Sequence, residues 1–203
     1  GLKKVNISPR VKGDLIMIGI GGFSPLTGFM TKADWKGVCE NFLMADGTFW
    51  PVPVCLDITA EEAAGINQGD EVALYDPEGD EIMATIKVDE KWDLSDEEKT
   101  WECEKVFMGE GTPTAEEFWK IAKDDHPGVQ MVMNQGPVNL AGNVKVLSEG
   151  EYPTKYAGVY QRPAAPRKAF AQTLSDDVAA LHEEREPVSI RIAVVLPAPF
   201  GPR

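Results

Sequence analysis

The sequence predicts an α+β fold, a small closed or half-closed β-barrel with several short helices around it, and three observations carry that reading. Short strand-like runs separated by glycine turns recur at 70–75, 81–88, 129–133, 138–140 and 144–147, the spacing of a compact barrel rather than of a parallel α/β sheet. Gly69-Asp70-Glu71-Val72 precedes the hairpin turn Asp76-Pro77-Glu78-Gly79-Asp80, a strong turn signal. Four segments, opening at Thr31, Thr59, Ser95 and Thr114, place Asp or Glu three residues later, which is the mark of a capped helix N-terminus.

Taken in order, Leu15-Ile16-Met17-Ile18-Gly19-Ile20 reads as an apolar strand running into the corner Gly21-Gly22-Phe23-Ser24-Pro25-Leu26-Thr27-Gly28-Phe29-Met30. Three glycines and Pro25 make that corner rigid, and its two phenylalanines and Leu26 are expected to plug into a core. After Thr31-Lys32-Ala33-Asp34, the residues Trp35, Val38, Cys39, Phe42 and Leu43 fall on one face of a helix ending near Met44. Asp46-Gly47 turns the chain, and 48–58 reads as a strand interrupted by Pro51 and Pro53. Thr59 to Glu62 caps a short helix stopped by Gly65. Ser95 caps a helix carrying Trp101, Val106 and Phe107, and Thr114 caps another with Phe118, Trp119, Ile121 and Ala122 inward. Asp125-His126-Pro127-Gly128-Val129 ends it in a turn, and Asn134-Gln135-Gly136-Pro137 and Ala141-Gly142-Asn143 separate the last strands.

A phosphate cradle at the glycine corner fails on spacing. A dinucleotide fingerprint needs a third glycine where Gly19-Ile20-Gly21-Gly22-Phe23-Ser24 has serine, and no Lys-Ser or Lys-Thr pair closes a Walker loop. The net charge of −13 excludes a generally basic surface for nucleic acid or anionic membrane. Residues 151–203 carry 7 Lys and Arg against 6 Asp and Glu, so the acidic excess belongs to residues 1–150. Cys39, Cys55 and Cys103, odd in number and without a Cys-x-x-Cys, read as reduced core thiols. No apolar run reaches the roughly 18 residues of a membrane span, and the expected location is cytoplasmic.

The corner 18–30 resembles the signature near the start of ATP sulfurylase (sulfate adenylyltransferase). Trp50-Pro51-Val52-Pro53-Val54 after Asp46-Gly47, His126-Pro127-Gly128-Val129, and Asn139-Leu140-Ala141-Gly142-Asn143-Val144-Lys145-Val146-Leu147 resemble later blocks of that family in the same order. The resemblance runs from about residue 5 to about residue 170, with a longer insert over 109–123. It implies a PUA-like β-barrel over residues 1–147 and a linker or domain junction over 148–170. An atypical tail over 171–203, with a helix at 175–186 and a strand at 188–196, then stands where the catalytic domain would begin. Arg162-Pro163-Ala164-Ala165-Pro166-Arg167-Lys168-Ala169-Phe170 resembles the junction itself.

The family reaction joins sulfate to the α-phosphorus of ATP and releases pyrophosphate. Two polyanions must be brought together, which calls for fixed cations and in-line positioning. The family's Gln-Thr-Arg-Asn-Pro-x-His-x-x-His and Gly-Arg-Asp-His blocks are absent from this chain; Gln172-Thr173-Leu174-Ser175 is the nearest echo, and no catalytic role is carried onto it. No catalytic, cofactor-binding or metal-ligating residue is therefore assigned, and ATP and Mg²⁺ are expected for the complete enzyme only. His126 reads as a turn-stabilising residue, Ser24 lacks the elbow of a nucleophile, and Glu97-Glu98 and Glu116-Glu117 read as capping charge. The implied partners are a catalytic domain or further copies of the chain, with no nucleic acid and no membrane. An apolar patch is expected where that catalytic domain would sit. The alternative reading is a stand-alone, non-enzymatic PUA-like binding module.

Overall fold

The computed structural model describes residues 1–108 and 114–183. The chain divides into two units, residues 1–162 and 163–203. The first contains β1 (Lys3–Asn6), α1 (Pro9–Gly19), β2 (Gly28–Phe29), α2 (Lys32–Asn41), β3 (Leu56–Ile58), α3 (Ala60–Ala63), β4 (Glu71–Asp76), β5 (Glu81–Lys87), β6 (Glu90–Asp93), α4 (Asp96–Phe107), α5 (Ala115–Asp125), α6 (Pro127–Met133), β7 (Val138–Val146) and α7 (Tyr152–Lys155). In the second, α8 runs over Ala164–Glu183 with Phe170 and Leu174 exposed. The expected strand at 188–196 and the end of the expected helix at 175–186 lie outside the described residues.

The strand β7 organises the first unit. Its first half pairs with β3 on one side and β6 on the other, and its second half pairs with β2 and β5. The sheet continues from β5 to β4 and ends on β1, which runs parallel to β4. One strand serving four partners has to bend, and it does so at Gly142, with φ 146°. A Cβ there would lie 2.0 Å from the Lys87 carbonyl oxygen, so only glycine fits. Ala141-Gly142-Asn143 is thus the middle of one continuous strand and not the turn expected between two short ones.

The glycine corner meets this bend. Gly28 pairs with Asn143 and Phe29 with Gly142, and a Cβ on Gly28 would lie 1.9 Å from the Gly142 carbonyl oxygen. Val144 donates its N–H to Thr27, and Met30 donates to Val54. Phe29 and Met30 are buried, while Phe23 and Leu26 pack on the core from its edge. Two of the motifs that carry the family resemblance are therefore halves of one backbone contact.

Four expected elements differ: of the strand expected over 48–58 only Leu56–Ile58 is strand, the segment of Pro51 and Pro53 before it pairing only through a single Leu43–Phe49 bridge. The apolar run 15–20 lies in and just after helix α1 rather than in a strand, because Ser8 accepts the Val11 N–H as N-cap, Pro9 occupies the first turn, and Val11, Leu15 and Ile16 give a helical buried face. Residues 129–133 are likewise helical: the His126 ring nitrogen Nδ1 accepts from Val129 N at 3.3 Å and Pro127 starts α6. Helix α2 stops at Asn41 with Phe42 left-handed at its C-cap, φ 58°. Phe42 and Leu43 are consequently exposed rather than inward.

Candidate functional site

Helix α1 sets the first side chains of a cavity. Arg10 and Asp14 are one turn apart on the same face, with Nη1 to Oδ2 at 3.2 Å. Arg10 also donates through Nη2 to Asp57 Oδ1 at 2.9 Å and to the Cys55 carbonyl at 3.1 Å. Asp57 in turn accepts the Gly136 N–H at 2.9 Å. One guanidinium thus ties α1 to β3 and, through Asp57, to the turn before β7.

The opposite wall comes from α4. Glu102 is 4% exposed and its Oε2 accepts the Trp35 indole N–H at 2.7 Å. Trp35 packs against both Trp92 and Trp101, at centroid distances of 5.4 and 5.2 Å with the rings tilted, so the indole that holds Glu102 is itself fixed by aromatic contacts. The space enclosed is about 240 Å³, walled by Phe23, Val52, Pro53, Val106, Phe107 and Met131, with Arg10, Asp14 and Glu102 as its charged groups. Burial pushes the carboxyls of Asp14 and Glu102 above their ordinary values; Arg10 works against the shift at both, and Trp35 also works against it at Glu102.

This arrangement suits a cation and repels an anion. The basic side chains that reach into the fold are engaged: Arg10 as above, Lys12 with Asp76 at 2.5 Å, and Lys99 with the Gln135 carbonyl at 2.7 Å. Among the described residues no group of three or more His, Cys, Asp or Glu is placed to hold a metal ion. The carboxylates around Arg10 disfavour a polyanion such as ATP in this cavity. The glycine corner is no cradle either, because Gly21 donates to Ile18, and Gly22 and Phe23 donate to Met17. Those N–H groups close the C-terminal end of α1, the negative end of its dipole.

The residues weighed from sequence fall as follows. His126 caps α6 with its ring 4.8 Å from that of Phe107, which is the turn-stabilising role expected of it. Ser24 is exposed beyond α1, Glu98 completes the Ser95 capping box, and Glu116 and Glu117 sit in the first turn of α5. The three cysteines are free and buried, with burial pushing Cys103 up to about 11. The side chain of Ile121 lies outside the described residues. Sequence reasoning missed Arg10, Asp57 and Glu102. Only the Arg10/Asp14 spacing signals locally, since the other partners come from β3 and α4.

A PUA-like domain profile matches residues 1–149. The chain belongs to the PUA-like domain family. This PUA-like chain is 71% identical over 180 residues to the sulfate adenylyltransferase of Desulfatibacillum aliphaticivorans. It is 56% identical over 181 residues to that of Desulfovibrio desulfuricans and 50% over 187 residues to that of Chlorobaculum tepidum. The matches cover 89%, 89% and 92% of this chain and 42% of each relative, so the chain spans about two fifths of the length of the curated relatives it matches. A match of 187 residues in a chain of 203 has to run past Phe170, wherever it begins. The hexameric APS kinase from Thiobacillus denitrificans is similar in fold, with a TM-score of 0.57 at 23% identity, over 85% of this chain and 26% of that one. The resemblance to sulfate adenylyltransferase read from the motifs is borne out, as is the PUA-like α+β barrel. The stand-alone module is not favoured, since the relatives matched along most of the chain are longer proteins.

Proposed function

We propose that this chain is the N-terminal, PUA-like domain of a sulfate adenylyltransferase, an accessory domain of the reaction that forms adenylyl sulfate and pyrophosphate from ATP and sulfate. The observation that supports it most is the 71% identity over 180 residues to a sulfate adenylyltransferase that the chain covers for 42% of its length. On this reading ATP and sulfate contacts, and the Mg²⁺ that accompanies ATP, belong to the portion of the relatives that the chain does not span. The setting is sulfur metabolism in the cytoplasm; among the described residues no helix is long and apolar enough to cross a membrane.

Its partner is a catalytic portion of the relatives' kind, with further copies of the assembled protein as the second level. Phe42, Leu43, Phe49 and Val52, between 40% and 66% exposed on the segment joining α2 and β3, are the apolar surface such a partner would cover. The test is pyrophosphate release coupled to pyrophosphatase. The 203-residue chain alone should give no sulfate-dependent turnover. The same chain joined to the remaining part of the Desulfatibacillum protein should turn over at a rate comparable to that protein. A folded but inactive fusion, or turnover by the chain alone, would overturn the proposal.

A further inference from the structure

We propose that the cavity between α1 and α4 is a binding site for an organic ammonium group on a short apolar or aromatic stem. Three carboxylates, Asp14, Asp57 and Glu102, face one guanidinium, and Arg10 already bonds two of them and a carbonyl. Glu102 is held through Oε2 alone among the described residues. It is a buried carboxylate with acceptor capacity left and a cavity in front of it. Lys99, one turn earlier on α4, does not serve it, since its ammonium goes to Gln135 O and Asp96. The carboxylate lines the cavity, and a primary ammonium entering it would supply both an opposite charge and N–H donors.

The walls define the rest of the ligand. Phe23 and Phe107 give the walls aromatic surface for the apolar stem, and Pro53, Val54 and Val106 continue the apolar lining. Val52 and Met131, 50% and 45% exposed, stand at the rim. At about 240 Å³ the space is below the roughly 300 Å³ at which pockets for drug-sized molecules begin. It fits one side chain or a small amine. Anions, including the substrates of the proposed transferase reaction, are disfavoured by the same carboxylates, so this site is not theirs.

The Trp35 indole N–H donates to Glu102, which gives the site its own reporter. The experiment titrates the ¹⁵N-labelled 203-residue chain with phenethylammonium, with its neutral analogue 2-phenylethanol, and with N-acetyl-lysinamide, following the Trp35 indole cross-peak. We expect a saturable shift with both ammonium compounds and at least tenfold weaker binding of the alcohol. Tighter binding of the lysine derivative would identify a protein side chain as the natural source, and tighter binding of the aromatic amine a free ligand. Glu102→Gln should weaken ammonium binding by about tenfold while leaving the alcohol unchanged.

Should that variant fail to fold, the pH dependence of the unmodified chain decides. Ammonium affinity should rise with pH as Glu102 and Asp14 ionise, and that of the alcohol should not. The Cys39 and Cys55 thiols, pushed up by burial, stay neutral. Equal binding of amine and alcohol, no saturable shift, or a flat pH profile would each overturn the assignment.

Discussion

In the barrel, Val5, Leu56, Leu74, Ile86 and Leu140 are fully buried, each on a strand whose pairing partner is elsewhere in the chain, and Leu15 of α1 is buried with them. In the helical annex, Phe118, Ala122, Val129 and Val132 close on Cys103 of α4 as a second, separate cluster, with Phe107 and Trp119 at its edge. The first core is assembled by long-range pairing and gains its stability only when the sheet is complete. The second is local and small. A lesion in the barrel should therefore be felt by the whole unit, whereas a lesion in the annex should open α5 and α6 and leave the sheet standing.

The largest effect should come from Gly142→Val. The substitution adds a Cβ at a backbone angle that β-branched residues avoid, 2.0 Å from the Lys87 oxygen. Loss of cooperative thermal unfolding is expected, a change above about 4 kcal/mol. A melting temperature within a few degrees of the parent would show that β7 need not bend there. Next, Leu140→Ala, at a side chain with no exposure, should cost about 2–5 kcal/mol in urea unfolding. Phe118→Ala separates the two regions. Amide exchange over 115–133 should rise at least tenfold while the barrel's midpoint moves less than in Leu140→Ala. Equal loss of protection in β5 and β7 would mean that the annex and barrel unfold as one.

The same contrast explains what the sequence made legible. Capping boxes at Thr31, Thr59 and Ser95 form as expected, because N-cap and N3 are local and self-satisfying. The hairpin of β4 and β5 also follows from its turn. Within α1 and α6 the short apolar runs do not reveal their period and read as strands, and the deciding signals, Ser8-Pro9 and His126-Pro127, lie ahead of those runs. Of the cavity only the Arg10/Asp14 spacing was legible. Arg10, Asp57 and Glu102 are brought together by three elements whose meeting depends on the finished sheet. Strand β6, with its single buried Trp92, gave no run long enough to read. A smaller test of the local rules is Ser95→Ala, which should cost about 1 kcal/mol, and a change near zero would mean that packing on α2 fixes the start of α4 without its cap.

The smallest effect, and the sharpest on the comparison, is in pH. Burial alone would raise the Asp76 carboxyl, but the bond from Lys12 and the Glu78 and Gly79 backbone donors hold it below its ordinary value. Asp76 therefore contributes stability that is present above the usual carboxylate range and is lost as pH falls through its depressed folded value. Glu102, at the seam between barrel and annex, behaves oppositely. Burial raises it from the ordinary 4.5 despite Trp35 and Arg10, so it withdraws stability as pH rises from 4.5 through its raised folded value. Glu102→Gln, which keeps an oxygen for Trp35, should gain on the parent as pH rises across that window. Asp76→Asn should lose most at neutral pH and converge with the parent in acid. Melting temperatures measured from pH 3.5 to 8 check both. Parallel profiles for the three proteins would show that neither carboxylate is coupled to folding in the way its surroundings require.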